Sequence, residues 1–308
     1  MAIKIAVIGD IHKSWNEKDI EFFNGSDYDL VLIVGDLPGR SHSGLLDIAQ
    51  GLSRLEKKAL YIPGNHDGVS VMQLIAELQQ NEKMIERTSR KQDRKCDELR
   101  EALGSVEMCG YSLHTVSAGG RDIDVIAARP HSMGGPDIGF RPYLKRKFNV
   151  GDLTESGEKL KALVDQAKHP ILFLAHNGPT GLGEEKHSIW GCDFKKEAGD
   201  FGDIDLREAL EHAAGKNHPV LGVVAGHMHH ALRNRKRRTW YLEDGGLAFV
   251  NAARVPRIFK NKGRLFHHHI ELEIDDGITT REVLVQGDQV HRTPALEALE
   301  QPTEERIA

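Results

Sequence analysis

Five short apolar runs, each breaking into a tight turn and then an aspartate, asparagine or histidine, constrain this chain more than any other feature. They are Ile3 to Ile8 before Gly9-Asp10-Ile11-His12, Leu30 to Val34 before Gly35-Asp36, Ala59 to Ile62 before Pro63-Gly64-Asn65-His66-Asp67, Ile171 to Leu174 before Ala175-His176, and Val220 to Val224 before Ala225-Gly226-His227-Met228-His229. Short β-branched runs of this kind read as buried strands. In open α/β sheets, ligands bind beyond the carboxyl ends of the strands. The expectation is therefore one site, at one edge of a parallel sheet, fed by five strand ends.

Between these runs the chain reads as crossovers. Residues 13–28 are polar with room for a short helix. Residues 41–57 place Leu45, Ile48, Leu52 and Leu55 at helical spacing. Residues 71–103 are long and helical in composition, and their mixed charges suit a solvated face. Strands are expected over 106–116 and 123–128, then a Gly-Pro loop at 133–136, an irregular basic stretch over 137–153 and a helix over 154–168. A polar loop of some 25 residues, 178–202, is long enough to be functional or mobile. A helix over 204–214 and strands over 247–252, 265–274 and 281–285 follow. Three consecutive histidines, His267, His268 and His269, cannot converge on one ion from a strand, whose side chains alternate faces, and read as structural. The expected organisation is a single domain over 1–292, with a cap or insertion within 71–150 and a frayed tail over 293–308.

Composition excludes some partners. A net charge of -5 with 28% charged residues gives no global basic excess for bulk nucleic-acid or membrane binding. No apolar run approaches a membrane span. Three cysteines, Cys96, Cys109 and Cys192, show no paired spacing, which suits a reducing compartment, and with no leader pattern the expected location is cytoplasmic.

The strand ends carry two carboxylates, four histidines and one amide in ligand positions: Asp10, His12, Asp36, Asn65, His176, His227 and His229. Mixed nitrogen and oxygen ligands without cysteine suit manganese, iron or zinc rather than a structural zinc cluster. Seven ligands are too many for one tetrahedral ion and fit two ions with a shared carboxylate, an arrangement suited to displacement at phosphorus.

In this order the blocks Asp-x-His, Gly-Asp, Gly-Asn-His-Asp, His and Gly-His-x-His resemble the calcineurin-like metallophosphoesterase superfamily, over residues 5–230. The resemblance implies a two-sheet β sandwich flanked by helices, a four-layer α/β/β/α fold. It implies two divalent or mixed-valence ions (Mn, Fe or Zn), one on Asp10, His12 and His229, the other on Asn65, His176 and His227, with Asp36 bridging. His66 matches the family's non-ligand histidine, which protonates the leaving oxygen or stabilises charge at phosphorus, with Asp67 the candidate partner of its ring. A metal-bound hydroxide would attack phosphorus. Arg40, four residues after Asp36, and Arg129, before the Gly-Pro loop, are candidate phosphate contacts. The block around Asp36 and the terminal Asp67 depart from the phosphoprotein phosphatase pattern, which points to phosphodiesters or small phosphomonoesters, a phosphorylated small molecule, as substrate. A nuclease, suggested by five basic residues within 233–238, and a non-catalytic interaction module on the same fold are the alternatives.

Overall fold

The structure, a computed structural model, describes residues 2–39, 41–195, 197, 199–232 and 236–300. The first third of the chain gives β1 (Ile3–Ile8), α1 (Glu17–Gly25), β2 (Leu30–Ile33), α2 (Leu45–Leu52), β3 (Ala59–Tyr61), α3 (Val71–Leu78) and α4 (Glu82–Ala102). The middle gives β4 (Glu107–Met108), β5 (Ser112–Ala118), β6 (Arg121–Ala127), α5 (Arg141–Phe148), α6 (Leu153–Gln166), β7 (Ile171–Leu174), α7 (Ile204–Gly215) and β8 (Val220–Ala225). The last part gives β9 (Tyr241–Asp244), β10 (Leu247–Asn251), β11 (Ile258–Asn261), β12 (Arg264–Ile274), β13 (Ile278–Gln286), β14 (Gln289–Pro294) and α8 (Ala295–Glu300).

These strands form two mixed sheets. One has the order β14-β13-β12-β1-β2-β3-β4, with β11 also on β12; the other has the order β5-β6-β7-β8-β10-β9. Strand alternation sorts the apolar residues into layers. From β1 and β2, Ile3, Ile5, Val7, Leu30 and Leu32 pack inward against Val125, Leu172, Leu174 and Val224 of the second sheet. Their neighbours Ala6, Ile8, Val31 and Ile33 face outward onto Phe23, Ile48, Leu52 and Leu99 of α1, α2 and α4. On the far side Ile126, Phe173 and Val223 carry Leu160 and Leu206 of α6 and α7. The result is the four-layer sandwich.

The sandwich corrects the single-edge expectation. β1, β2 and β3 lie in one sheet and β7 and β8 in the other, so the five strand ends meet across the gap between two sheets. Residues 71–103 form two helices rather than one. α3 starts at a Ser70 cap and α4 at an Asn81 cap, each side chain accepting a backbone N–H. The basic stretch contains α5. The tail is better ordered than its composition suggests: β14 pairs with β13 from Arg281 to Gln286, and α8 follows, so 293–300 is not frayed. Residues 301–308 lie outside the described residues. Among the described residues, no helix is long and apolar enough to cross a membrane.

The histidine triplet is structural, each ring going its own way. His267 Nδ1 lies 2.9 Å from Asp19 Oδ1, His269 Nε2 lies 2.8 Å from the Tyr28 hydroxyl, and His268 Nε2 lies 3.5 Å from Glu282. Asp19 also accepts from Arg257 Nη2 at 2.8 Å. Burial works against its charge, but Arg257 and His267 hold its carboxyl down to about 2. A depressed pKa contributes stability that is present above the unfolded value near 4 and is lost as pH falls through about 2, here roughly 2 kcal/mol. Denaturant titrations from pH 5 to pH 2 should show wild type losing that much more stability than Asp19→Asn. Parallel profiles for the two proteins would contradict it.

Candidate metal centre

Four of the five strand ends deliver their residues through a strained or glycine-dependent turn. His12, Asp36 and His227 take φ of 40°, 51° and 68°, a left-handed conformation that non-glycine residues rarely adopt and that costs about 1–3 kcal/mol each. Glycines then allow the close approach. A Cβ on Gly64 would stand 2.3 Å from Asp36 Oδ1, and one on Gly226 would stand 2.2 Å from Asp10 Oδ1. The loops are tied to one another: His12 N–H donates to the Asp36 carbonyl at 2.8 Å, and His227 N–H to Asp10 Oδ1 at 3.1 Å.

The arrangement brings together all seven residues expected from the strand ends. Ligand atoms of Asp10, His12 and His229 lie within 4.8 Å of one another, as do those of Asp36, His176 and His227. Asn65 Oδ1 joins the second group, 3.1 Å from His176 Nε2. Asp36 stands between the two groups, with Oδ2 3.8 Å from His12 Nε2 and Oδ1 3.7 Å from His176 Nε2.

Whether these residues fit metal ions can be judged from their lone pairs. His12 Nδ1 faces the Pro38 carbonyl at 3.0 Å and His176 Nδ1 the Val34 carbonyl at 2.6 Å. A carbonyl only accepts, so each neutral ring carries its proton on Nδ1 and turns the Nε2 lone pair inward. His12 Nε2 meets His229 Nε2 at 3.2 Å. Beside them Asp10 Oδ2 is buried without a hydrogen bond, 3.3 Å from His229 Nε2. A buried, unpaired carboxylate oxygen with imidazole lone pairs converging on it is costly unless a cation sits among them, so the donor set fits bound metal.

Charge in the site follows the same geometry. Burial opposes ionisation of Asp36, but positive charge on the surrounding rings when they are protonated, His176 first, holds its carboxyl well below the usual carboxylate range. Burial, with His176 nearby, pushes His227 down to about 3, so its ring is neutral and able to ligate.

His66 lies beside the two groups, its ring 5.6 Å from that of His12. Its partner is not Asp67. Asp67 is fully buried and spends both oxygens on backbone donors: Asp36 N–H and Gly64 N–H reach Oδ2 at 2.7 Å, and Leu37 N–H reaches Oδ1 at 2.9 Å. It braces the turn after β2 against the turn after β3, while Ser70 caps the helix that follows. The ring of His66 instead meets His42: His66 Nδ1 lies 3.0 Å from His42 Nε2, and His42 Nδ1 lies 3.1 Å from the Val69 carbonyl. By the same donor logic His42 carries its proton on Nδ1, accepts from His66 Nδ1, and leaves His66 Nε2 free toward the site. His42 was not anticipated. A histidine in a glycine- and serine-rich turn has no pattern that marks it in the sequence.

The two arginine candidates part from the site. Arg129 is 1% exposed and held in the interior, donating from Nη2 to Asp203 Oδ1 and from Nε to Asp205 Oδ2 at 2.8 Å each, so it cannot contact a substrate. Arg40 lies outside the described residues. So do Arg233 and Arg235 of the basic stretch. Arg238 is buried and donates to the carbonyls of Lys186, Ser188 and Gly191, which leaves it unavailable to a polyanion.

The family model for the calcineurin-like phosphoesterases matches residues 3–231. No curated protein matches the chain. Solved structures with a similar course include the purple acid phosphatase PPD1 of yellow lupin (Lupinus luteus) seeds, 15% identical, TM-score 0.49, covering 95% of this chain and 53% of that one. An archaeal phosphodiesterase is 11% identical with TM-score 0.39, covering 92% and 100%. Vps29 of Chaetomium thermophilum is 11% identical with TM-score 0.34, covering 95% and 98%. At these scores the likenesses say nothing about activity. The family model, by contrast, spans most of the chain, including every strand end that feeds the two ligand groups, and the chain belongs to the calcineurin-like phosphoesterase family.

Proposed function

We propose that this protein is a metal-dependent phosphoester hydrolase with a dinuclear centre, acting on phosphodiesters or small phosphomonoesters. The observation that carries the reading is the position of Asp36, one oxygen toward each ligand group. Asp10, His12 and His229 would hold one ion and Asn65, His176 and His227 the other, with Asp36 shared. Manganese, iron and zinc suit this donor set. Two such ions would supply positive charge opposite the phosphoryl oxygens and a water acidic enough to ionise near neutral pH.

The protein's own groups do the rest. His66, oriented by His42, presents Nε2 to the site and, as the imidazolium with a proton on each nitrogen, would give the Nε2 proton to the departing oxygen and keep the one shared with His42. Asp67 keeps the turns bearing Asp36 and Asn65 in register. Part of the segment 71–150, namely α3, the start of α4 and the loop 133–139, serves as a cap. In support, Leu74, Leu78, Ile85 and the loop from Met133 to Gly139 wall a cavity that also touches Asn65, His66 and His227.

The test is hydrolysis of bis-p-nitrophenyl phosphate and p-nitrophenyl phosphate by metal-stripped protein reconstituted separately with manganese, zinc or iron. Turnover restored by at least one metal is expected, and the ratio of the two rates separates a diesterase from a monoesterase. Absence of turnover with every metal, in protein shown to bind ions, would overturn the hydrolase reading.

A further inference from the structure

The centre opens into a cavity of about 820 Å³, a size that takes a whole small molecule, whereas a phosphoryl group needs only its mouth. Away from the site its wall is mixed, with an apolar part made by Leu74, Leu78, Ile85, Ile138, Phe194 and Phe201. Leu78 is 63% exposed and Phe194 40% exposed, so apolar surface is held open to water at the rim. Such surface beside a site marks where a ligand is covered.

The polar groups of the wall largely answer one another. Gln80 donates to Asp137 at 2.7 Å, Arg141 to Glu82 at 2.5 Å, and the Lys195 ammonium lies 4.5 Å from the centre of the Phe201 ring. Glu77 differs. Its Oε1 is buried without a partner, and burial pushes the carboxyl up to about 7. An acid held close to neutrality belongs to an apolar surrounding.

Resting on the phosphoesterase reading above, we propose that this cavity is the leaving-group subsite and takes an alcohol with an extended aliphatic body. His66 lies in the same wall, so the oxygen it protonates opens into this space. Aliphatic side chains outnumber rings there. The two rings meet nearly edge-on, 82° between planes, and Lys195 already covers Phe201, so a planar aromatic alcohol finds no parallel slot between them.

The experiment is calorimetric titration of the manganese-loaded full chain with ethylphosphonate, octylphosphonate and 2-naphthylphosphonate, whose C–P bonds resist hydrolysis. Octylphosphonate should bind at least tenfold more tightly than ethylphosphonate and more tightly than the naphthyl compound. In the double variant Leu78→Asp, Phe194→Ser, at exposed positions that the fold tolerates, the ratio of octyl to ethyl affinity should fall below threefold. Glu77→Leu, which removes the carboxyl whose Oε1 is unpaired, should raise that ratio. Ethyl and octyl affinities within twofold, a ratio unmoved in the double variant, or preference for naphthyl would overturn the subsite while leaving the phosphoesterase reading in place. Failure of every phosphonate to bind would also overturn the subsite, the phosphoesterase reading being decided by the turnover test above.

Discussion

Asp36→Asn should lower turnover of bis-p-nitrophenyl phosphate by about 10³-fold or more and strip ions from both halves of the centre. The carboxylate stands with one oxygen toward His12 and the other toward His176. Asparagine keeps the shape but offers one acceptor, turns an N–H₂ donor toward the other group, and removes the charge that offsets two cations. A metal centre contributes several kcal/mol at the transition state, and each 1.36 kcal/mol is tenfold in rate. The substitution is clean because Asp36 has φ 51°, a conformation that asparagine also tolerates, and an amide oxygen can still accept from His66 N–H. Metal content by mass spectrometry, kcat and thermal unfolding separate the outcomes. A folded variant with full metal content and turnover within tenfold of wild type would contradict the bridging assignment.

His66→Ala should leave metal content unchanged, because its ring belongs to neither ligand group, and should lower kcat by about 10²–10⁴-fold on esters of alkyl alcohols. The loss should be smaller on p-nitrophenyl esters, whose leaving group departs without a proton. That contrast between leaving groups distinguishes a proton donor from a residue that merely shapes the pocket. His42→Ala should show the same contrast at lower amplitude, about tenfold, since the hydrogen bond at 3.0 Å orients His66 without touching substrate. His42→Gln, which keeps an acceptor, should recover part of it. Equal losses on good and poor leaving groups would remove His66 from the proton-transfer role.

What the sequence made legible follows from where the ligands sit. Each lies just past a short buried strand, so an apolar run and a tight turn announce it, and five such signals in order are hard to misread. The partition of those strands between two sheets was not legible, because parallel strands buried on both faces look alike whichever sheet they join. Arg129 was misplaced for a related reason. It leaves the end of β6 as a site residue would, but its partners Asp203 and Asp205 lie more than seventy residues away. Asp67 follows His66 directly, yet neighbours in sequence at a turn point apart, and the ring found His42 instead. The inner face of α4 also hid itself. Its buried stripe runs Ile85, Ser89, Gln92, Cys96, Leu99, helical in spacing but polar in the middle, where Gln92 pairs with Gln73 at 2.5 Å. Hydrophobic periodicity has no means of finding such a stripe.

The most direct test of the two-ion centre is a calorimetric titration of the stripped chain with manganese, run beside His229→Ala. Wild type should take up two ions per chain. The variant should keep one, since His229 belongs to the Asp10 and His12 group while Asp36, Asn65, His176 and His227 remain. A single ion in wild type, or two in the variant with unchanged affinity, would contradict the arrangement on which the account rests.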